Sequence, residues 1–149
     1  MSRPPRPADE PMFSKRMISV SVVQGAVVLA AVMGVYLWAV FTGKPANDVR
    51  GLTFAALVAG NLGLIFVNRS WTHTIIGGLL SKNRALWWVT AGTLAILALL
   101  LTVPSARDLF QFAAMHPADL AISLGAGVLS VLWFEVYKLI RNRQHAPVA

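Results

Sequence analysis

A lone carboxamide and a Glu–Lys pair are the residues of this sequence whose types and settings could do chemistry. Asn61 stands inside AGNLGLIFVNRS, among small and apolar neighbours. Hydrocarbon offers a carboxamide no partner, so Asn61 must find one in protein. Beside Gly60 and Gly63, where backbones can approach, the simpler role is a hydrogen bond between helices. The sharper role is ligation of a cation through the side-chain oxygen. Glu135 and Lys138 stand three apart in WFEVYKLIRNR, a spacing that puts both on one helix face. Such a pair anchors a helix end near interfacial water. An ionisable pair in an apolar segment is also a candidate for proton or ion relay. Catalysis finds no support beyond these. Of six acidic residues, Asp9, Glu10, Asp48, Asp108 and Asp119 fall in tails or loops, and only Glu135 does not. There is no cysteine, so thiolate metal sites, Fe–S clusters and disulfides are excluded. His73, His116 and His145 sit in different loops and form no metal cluster.

The elements that carry these residues are set by hydropathy. Hydrophobic residues make up 56% of the 149 and charged residues 13%, against roughly 25% charged in a soluble domain. The apolar residues are clustered into four runs, 18–41, 51–67, 85–103 and 120–140. A helix needs about 20 apolar residues to cross the hydrocarbon of a bilayer; three runs meet this and the second is near it. The first run exceeds the 7–15 apolar residues of a secretory signal, and no clean cleavage site follows it. The sequence therefore predicts an all-α membrane protein, four transmembrane helices in a bundle.

Charge placement sets the orientation. Arg3, Arg6, Lys15, Arg16, Arg69, Lys82, Arg84, Lys138, Arg141 and Arg143 fall on one side of such a topology, and only Lys44, Arg50 and Arg107 on the other. Ten basic residues against three is a positive-inside bias, which predicts both termini in the cytoplasm. The net charge of +7 then follows from topology, and no nucleic acid is implied. The expected layout is a proline-rich cytoplasmic tail or loop at 1–16, helices at 17–41, 51–68, 85–103 and 119–140, outer loops at 42–50 and 104–118, a cytoplasmic loop at 69–84 and a tail at 141–149. Pro104 ends the third helix, a turn near Asp108 and Leu109 lies at the interface, and Pro117-Ala118-Asp119 starts the fourth. Trp38, Trp71, Trp87, Trp88 and Trp133 lie near segment ends, as an interfacial aromatic belt requires. The apolar stretch 75–80 is too short to span.

Three stretches, taken in order, resemble the calcium-pump-like P-type ATPases. MSRPPRPADEP, through Met1, Arg3, Pro4, Pro5, Arg6, Pro7, Glu10 and Pro11, resembles the cytoplasmic loop after that family's sixth membrane helix. GNLGLIFVNRSW, which contains Asn61 and Asn68, is similar to the eighth helix of bacterial members and the loop leaving it. LWFEVYKLIRNR, with Glu135 and Lys138, is similar to the last helix and its basic end. The resemblance implies the seventh to tenth membrane helices of a cation pump in a bacterial plasma membrane. It implies that Asn61 falls at or next to a position where calcium-transporting relatives place an acidic or amide ion ligand. An amide there fits another cation or a structural role. It also implies partners: the bilayer, the remaining helices and cytoplasmic domains of the pump, and the transported cation. The phosphorylated Asp-Lys-Thr-Gly loop, the nucleotide-binding domain and the Thr-Gly-Glu motif are absent from this sequence. No cofactor is expected on the chain, ATP and Mg2+ belonging to the portion outside it.

The leading expectation is thus the C-terminal membrane part of a cation-transporting P-type ATPase, as a fragment, split subunit or truncated product, inactive alone. It would brace the ion-carrying helices, with the proline-rich loop (Arg3, Pro4, Pro5, Arg6, Glu10) coupling phosphorylation to helix movement. The alternative is a free-standing four-helix membrane protein that binds or regulates a partner. A small independent transporter has thin support in one Asn and one Glu–Lys pair.

Overall fold

The computed structural model describes residues 15–68 and 84–144, and the side-chain surroundings of 18–68 and 84–135. Five helices follow one another: α1 (Lys15–Phe41), α2 (Ala46–Asn68), α3 (Arg84–Thr102), α4 (Pro104–Phe110) and α5 (Pro117–Gln144). The described residues contain no strand. Every helix but α4 is long and apolar enough to cross a membrane, so the predicted all-α, four-span architecture stands.

The turn between α1 and α2 is only four residues long. Gly43 takes a left-handed backbone, φ 71°, which an L side chain resists and glycine does not. Its N–H donates to the Val40 carbonyl at 3.0 Å, and the Lys44 N–H to the Ala39 carbonyl at 3.1 Å. These two bonds make a Schellman cap and satisfy carbonyls the helix end would otherwise orphan. The next helix starts at once: Val49 N–H donates to the Pro45 carbonyl at 3.1 Å. Asp48 in the first turn complements the positive end of the helix dipole. Hence α2 begins at Ala46 rather than at 51, and residues 46–50 are helix where the sequence suggested loop. At the other break, Val103 is extended (φ −79°, ψ 121°) and Pro104 opens α4. Proline disfavours a helical residue before it and suits a first helical position. The region 104–118 therefore holds a short helix where an interfacial turn was expected.

The packed core joins α1, α2 and α5. On α1 the buried apolar positions are Val28, Val32, Val35 and Ala39, one helical stripe. They pack in one cluster with Val49, Leu52 and Ala56 of α2 and Val131 and Phe134 of α5, with Phe134 only 2% exposed. Small residues let α2 and α5 touch backbone to backbone. A methyl group built on Gly127 would lie 2.5 Å from the Ala56 carbonyl oxygen and 2.9 Å from the Gly60 nitrogen. One on Gly63 would lie 2.4 Å from a Val131 methyl, and one on Gly60 2.8 Å from Val28. Inside a bilayer such close packing stands in for the hydrophobic drive between helices, since lipid is as apolar as leucine.

The remaining span, α3, is held more loosely. α3 buries Leu86, Thr90, Leu97 and Leu100, and Trp87 meets Phe66 of α2 edge-on at 6.5 Å between ring centroids. Trp88, Ile96 and Leu99 on its other faces are exposed.

Candidate functional site

Polar side chains inside the spanning helices fall into two sets that the fold keeps apart. Asn61 lies on the open side of α2. With Leu57, Ile65 and Asn68 it forms an exposed stripe at four- and three-residue steps, while Leu52, Ala56, Ala59 and Gly60 face the core. Because α2 starts at Ala46, Asn61 sits about 22 Å along the helix and about 10 Å from its Asn68 end, at 1.5 Å per residue. It is thus past the middle of the span.

The second set is enclosed. Glu135 on α5 is 8% exposed, on the face turned toward α1 and α2 with Phe134 and Val131. The fold does not bring Asn61 and Glu135 together on one face. Lys138 lies in α5, outside the residues whose side chains are described, as do all of Arg3, Pro4, Pro5, Arg6 and Glu10 with their loop. Trp71 and the stretch 75–80 also lie outside. Ser123 and Ser130 of α5 are buried and donate to their own helix, to the Asp119 carbonyl at 3.0 Å and the Gly127 carbonyl at 2.6 Å. Among the described residues no three His, Cys, Asp or Glu side chains gather as a metal site.

Two features escaped the sequence reading. Gln24 of α1 is 2% exposed, and neither its amide nitrogen nor its oxygen has a hydrogen-bond partner among the described residues. Its only sequence signal is being the sole carboxamide in a 24-residue apolar run. The other is an ion pair closing the end of the bundle where α1 meets α2. Lys44 Nζ is 2.5 Å from Asp119 Oδ2, and it lies 5.5 Å from the centroid of the Trp38 ring, within cation–π range. The pair links the α1–α2 turn to the first turn of α5 across 75 residues. Beside it, Arg50 donates to the Gln111 side-chain carbonyl, Met115 covers Gly51, and Phe112 stacks near Phe54 at 5.5 Å. The segment after α4 is thereby tied onto the start of α2.

These features define a class: a multi-pass integral membrane bundle with a tight three-helix core, polar groups inside its spans, and no catalytic constellation among the described residues. The chain belongs to the family described as Cation transporting ATPase, C-terminus, which matches residues 1–140. It is the C-terminal membrane part of a cation-transporting P-type ATPase, and the free-standing partner-binding alternative is not favoured. No curated protein matches the chain.

Proposed function

We propose that this part of the pump braces the ion-carrying helices and lends Asn61 to the ion path. The carrying observation is the exposure of Asn61 on the Leu57–Asn61–Ile65 stripe, opposite the α5 seam. A carboxamide aimed at lipid is left unsatisfied, so this stripe is the face that fits against other helices of the pump. Its oxygen is a hard neutral ligand, suited to complete a cation shell whose charged ligands come from elsewhere. Bracing is supported by the α2–α5 backbone contact and by the Lys44–Asp119 strap, which bind three helices into one support. In this reading both chain ends face the cytoplasm of a bacterial plasma membrane, in keeping with the ten-to-three basic bias. ATP and Mg2+ are handled by the nucleotide-binding portion of the pump.

The test is ATP-driven cation uptake by inside-out vesicles carrying the complete pump with Asn61→Ala. A lost ligand should raise the cation concentration for half-maximal uptake about tenfold, the worth of one hydrogen-bond-sized contact to a charge. An unchanged value leaves Asn61 outside the ion path. In the same vesicles Ser105→Cys should add no labelling by an impermeant maleimide over that of the pump without this substitution. Labelling there would reverse the orientation.

A further inference from the structure

A mixed groove lies at the end of the bundle closed by the Lys44–Asp119 pair. It is a cavity of about 380 Å³ between the last turns of α1 and the first turns of α2. Tyr36, Val40 and Lys44 form one wall, four residues apart, and Ala46, Val49 and Arg50 form the other. Val49 is buried at its base, and Val40 and Tyr36 are each 44% exposed. The larger cavity between α2, α3 and α5, about 470 Å³, is lined by hydrocarbon apart from glycine and Thr90. The α1–α2 groove instead adds two cationic side chains, Lys44 and Arg50, and the Tyr36 phenol to an apolar lining.

The two cations are not equally engaged. Lys44 has a carboxylate partner in Asp119. Arg50 is exposed and donates to a neutral carboxamide, Gln111. Asp48 is two residues away on the same helix, a spacing that does not bring side chains face to face. Arg50 therefore has no carboxylate partner among the described residues. A guanidinium carries five N–H donors in a fork that fits two oxygens of a phosphate, and an ammonium carries three. Only one donor of each has a described side-chain partner.

We propose that this groove binds the headgroup of an anionic phospholipid from the leaflet that meets the α1–α2 turn. The phosphate lies between Arg50 and Lys44. One acyl chain descends over Val40 along the exposed stripe that continues through Met33 and Leu29. Charge complementarity selects the headgroup, and the continuity of the groove with the lipid-facing side of α1 selects a lipid over a soluble anion. This assignment does not depend on the role given to Asn61.

Native mass spectrometry of the full chain in detergent, with phosphatidylglycerol, phosphatidylcholine or inorganic phosphate added, tests it. Phosphatidylglycerol adducts should form on the wild type and fall about tenfold in Arg50→Gln, the size of one charge-assisted contact. Gln111→Ala should keep them, because it frees Arg50 without removing its charge. Val40→Trp, which leaves every charge and fills the groove from its α1 wall, should also lose them; circular dichroism reports whether each variant is folded. Equal adducts on wild type and folded Arg50→Gln would overturn the proposal. So would equal retention of the zwitterionic lipid, or displacement of phosphatidylglycerol by millimolar phosphate, which would mark a soluble-anion site. Loss of a dimer rather than of lipid in Arg50→Gln would assign the groove to a second copy and overturn it as well.

Discussion

The α2–α5 seam and α3 contain the same kinds of residue and treat them oppositely. Both carry glycine among many alanines and leucines, and both cross the membrane. At the seam, Gly127 sits against the Ala56 and Gly60 backbone. On α3, Gly92 has nothing within 4 Å of the place a methyl would occupy. Phe134 is 2% exposed in the seam, whereas Leu94 is 50% exposed on α3. In a bilayer a small residue marks a helix contact only when a partner backbone faces it, and otherwise it is a gap that lipid fills.

Five substitutions, two of them controls on α3, break or sharpen that contrast. Gly127→Leu has the largest expected effect, because the intruding side chain meets backbone that cannot rotate away. A cost of roughly 3 kcal/mol or more should abolish the monodisperse peak in size-exclusion chromatography, while Gly92→Leu leaves it in place. Phe134→Ala comes next. It removes contacts rather than hydrophobic transfer, since lipid and protein interiors are similarly apolar, and roughly 2 kcal/mol of lost packing should lower the detergent melting temperature. Leu94→Ala should leave that temperature within error, and an equal loss there would mean that α3 packs as tightly as the seam. The smallest effect is expected for Lys44→Met. Its ammonium and the Asp119 carboxylate are about one-fifth exposed, so the pair contributes up to about 1 kcal/mol. That loss should shrink further in high salt, and a salt-independent loss would assign it to packing of the lysine stem on Trp38.

The spans were legible because crossing hydrocarbon demands long apolar runs, and such runs survive any detail of packing. The start of α2 was not, since Asn47, Asp48 and Arg50 are polar for the interface and not for a loop. Nor was the burial of Gln24 legible. A membrane helix is apolar toward lipid and protein alike, so periodicity does not say which face meets a neighbour. The same limit hid the outward aim of Asn61, although its candidacy was plain from its type. The Lys44–Asp119 pair unites residues that the sequence placed in the first outer loop and at the start of the fourth helix, and only the three-dimensional closeness of α1 and α5 reveals it. The three ordered motifs, in contrast, carried the family directly.

The length of α5 has a mechanical consequence. Its 28 residues extend about 42 Å at 1.5 Å each, beyond the roughly 30 Å of a hydrocarbon core. With its first turn pinned by Asp119 and its middle clamped at Gly127, the helix is a lever fixed near one end. A swing of about 5° about Gly127 carries the Gln144 tip, about 25 Å further along the helix, through roughly 2 Å, so a small lean inside the membrane becomes a displacement outside it.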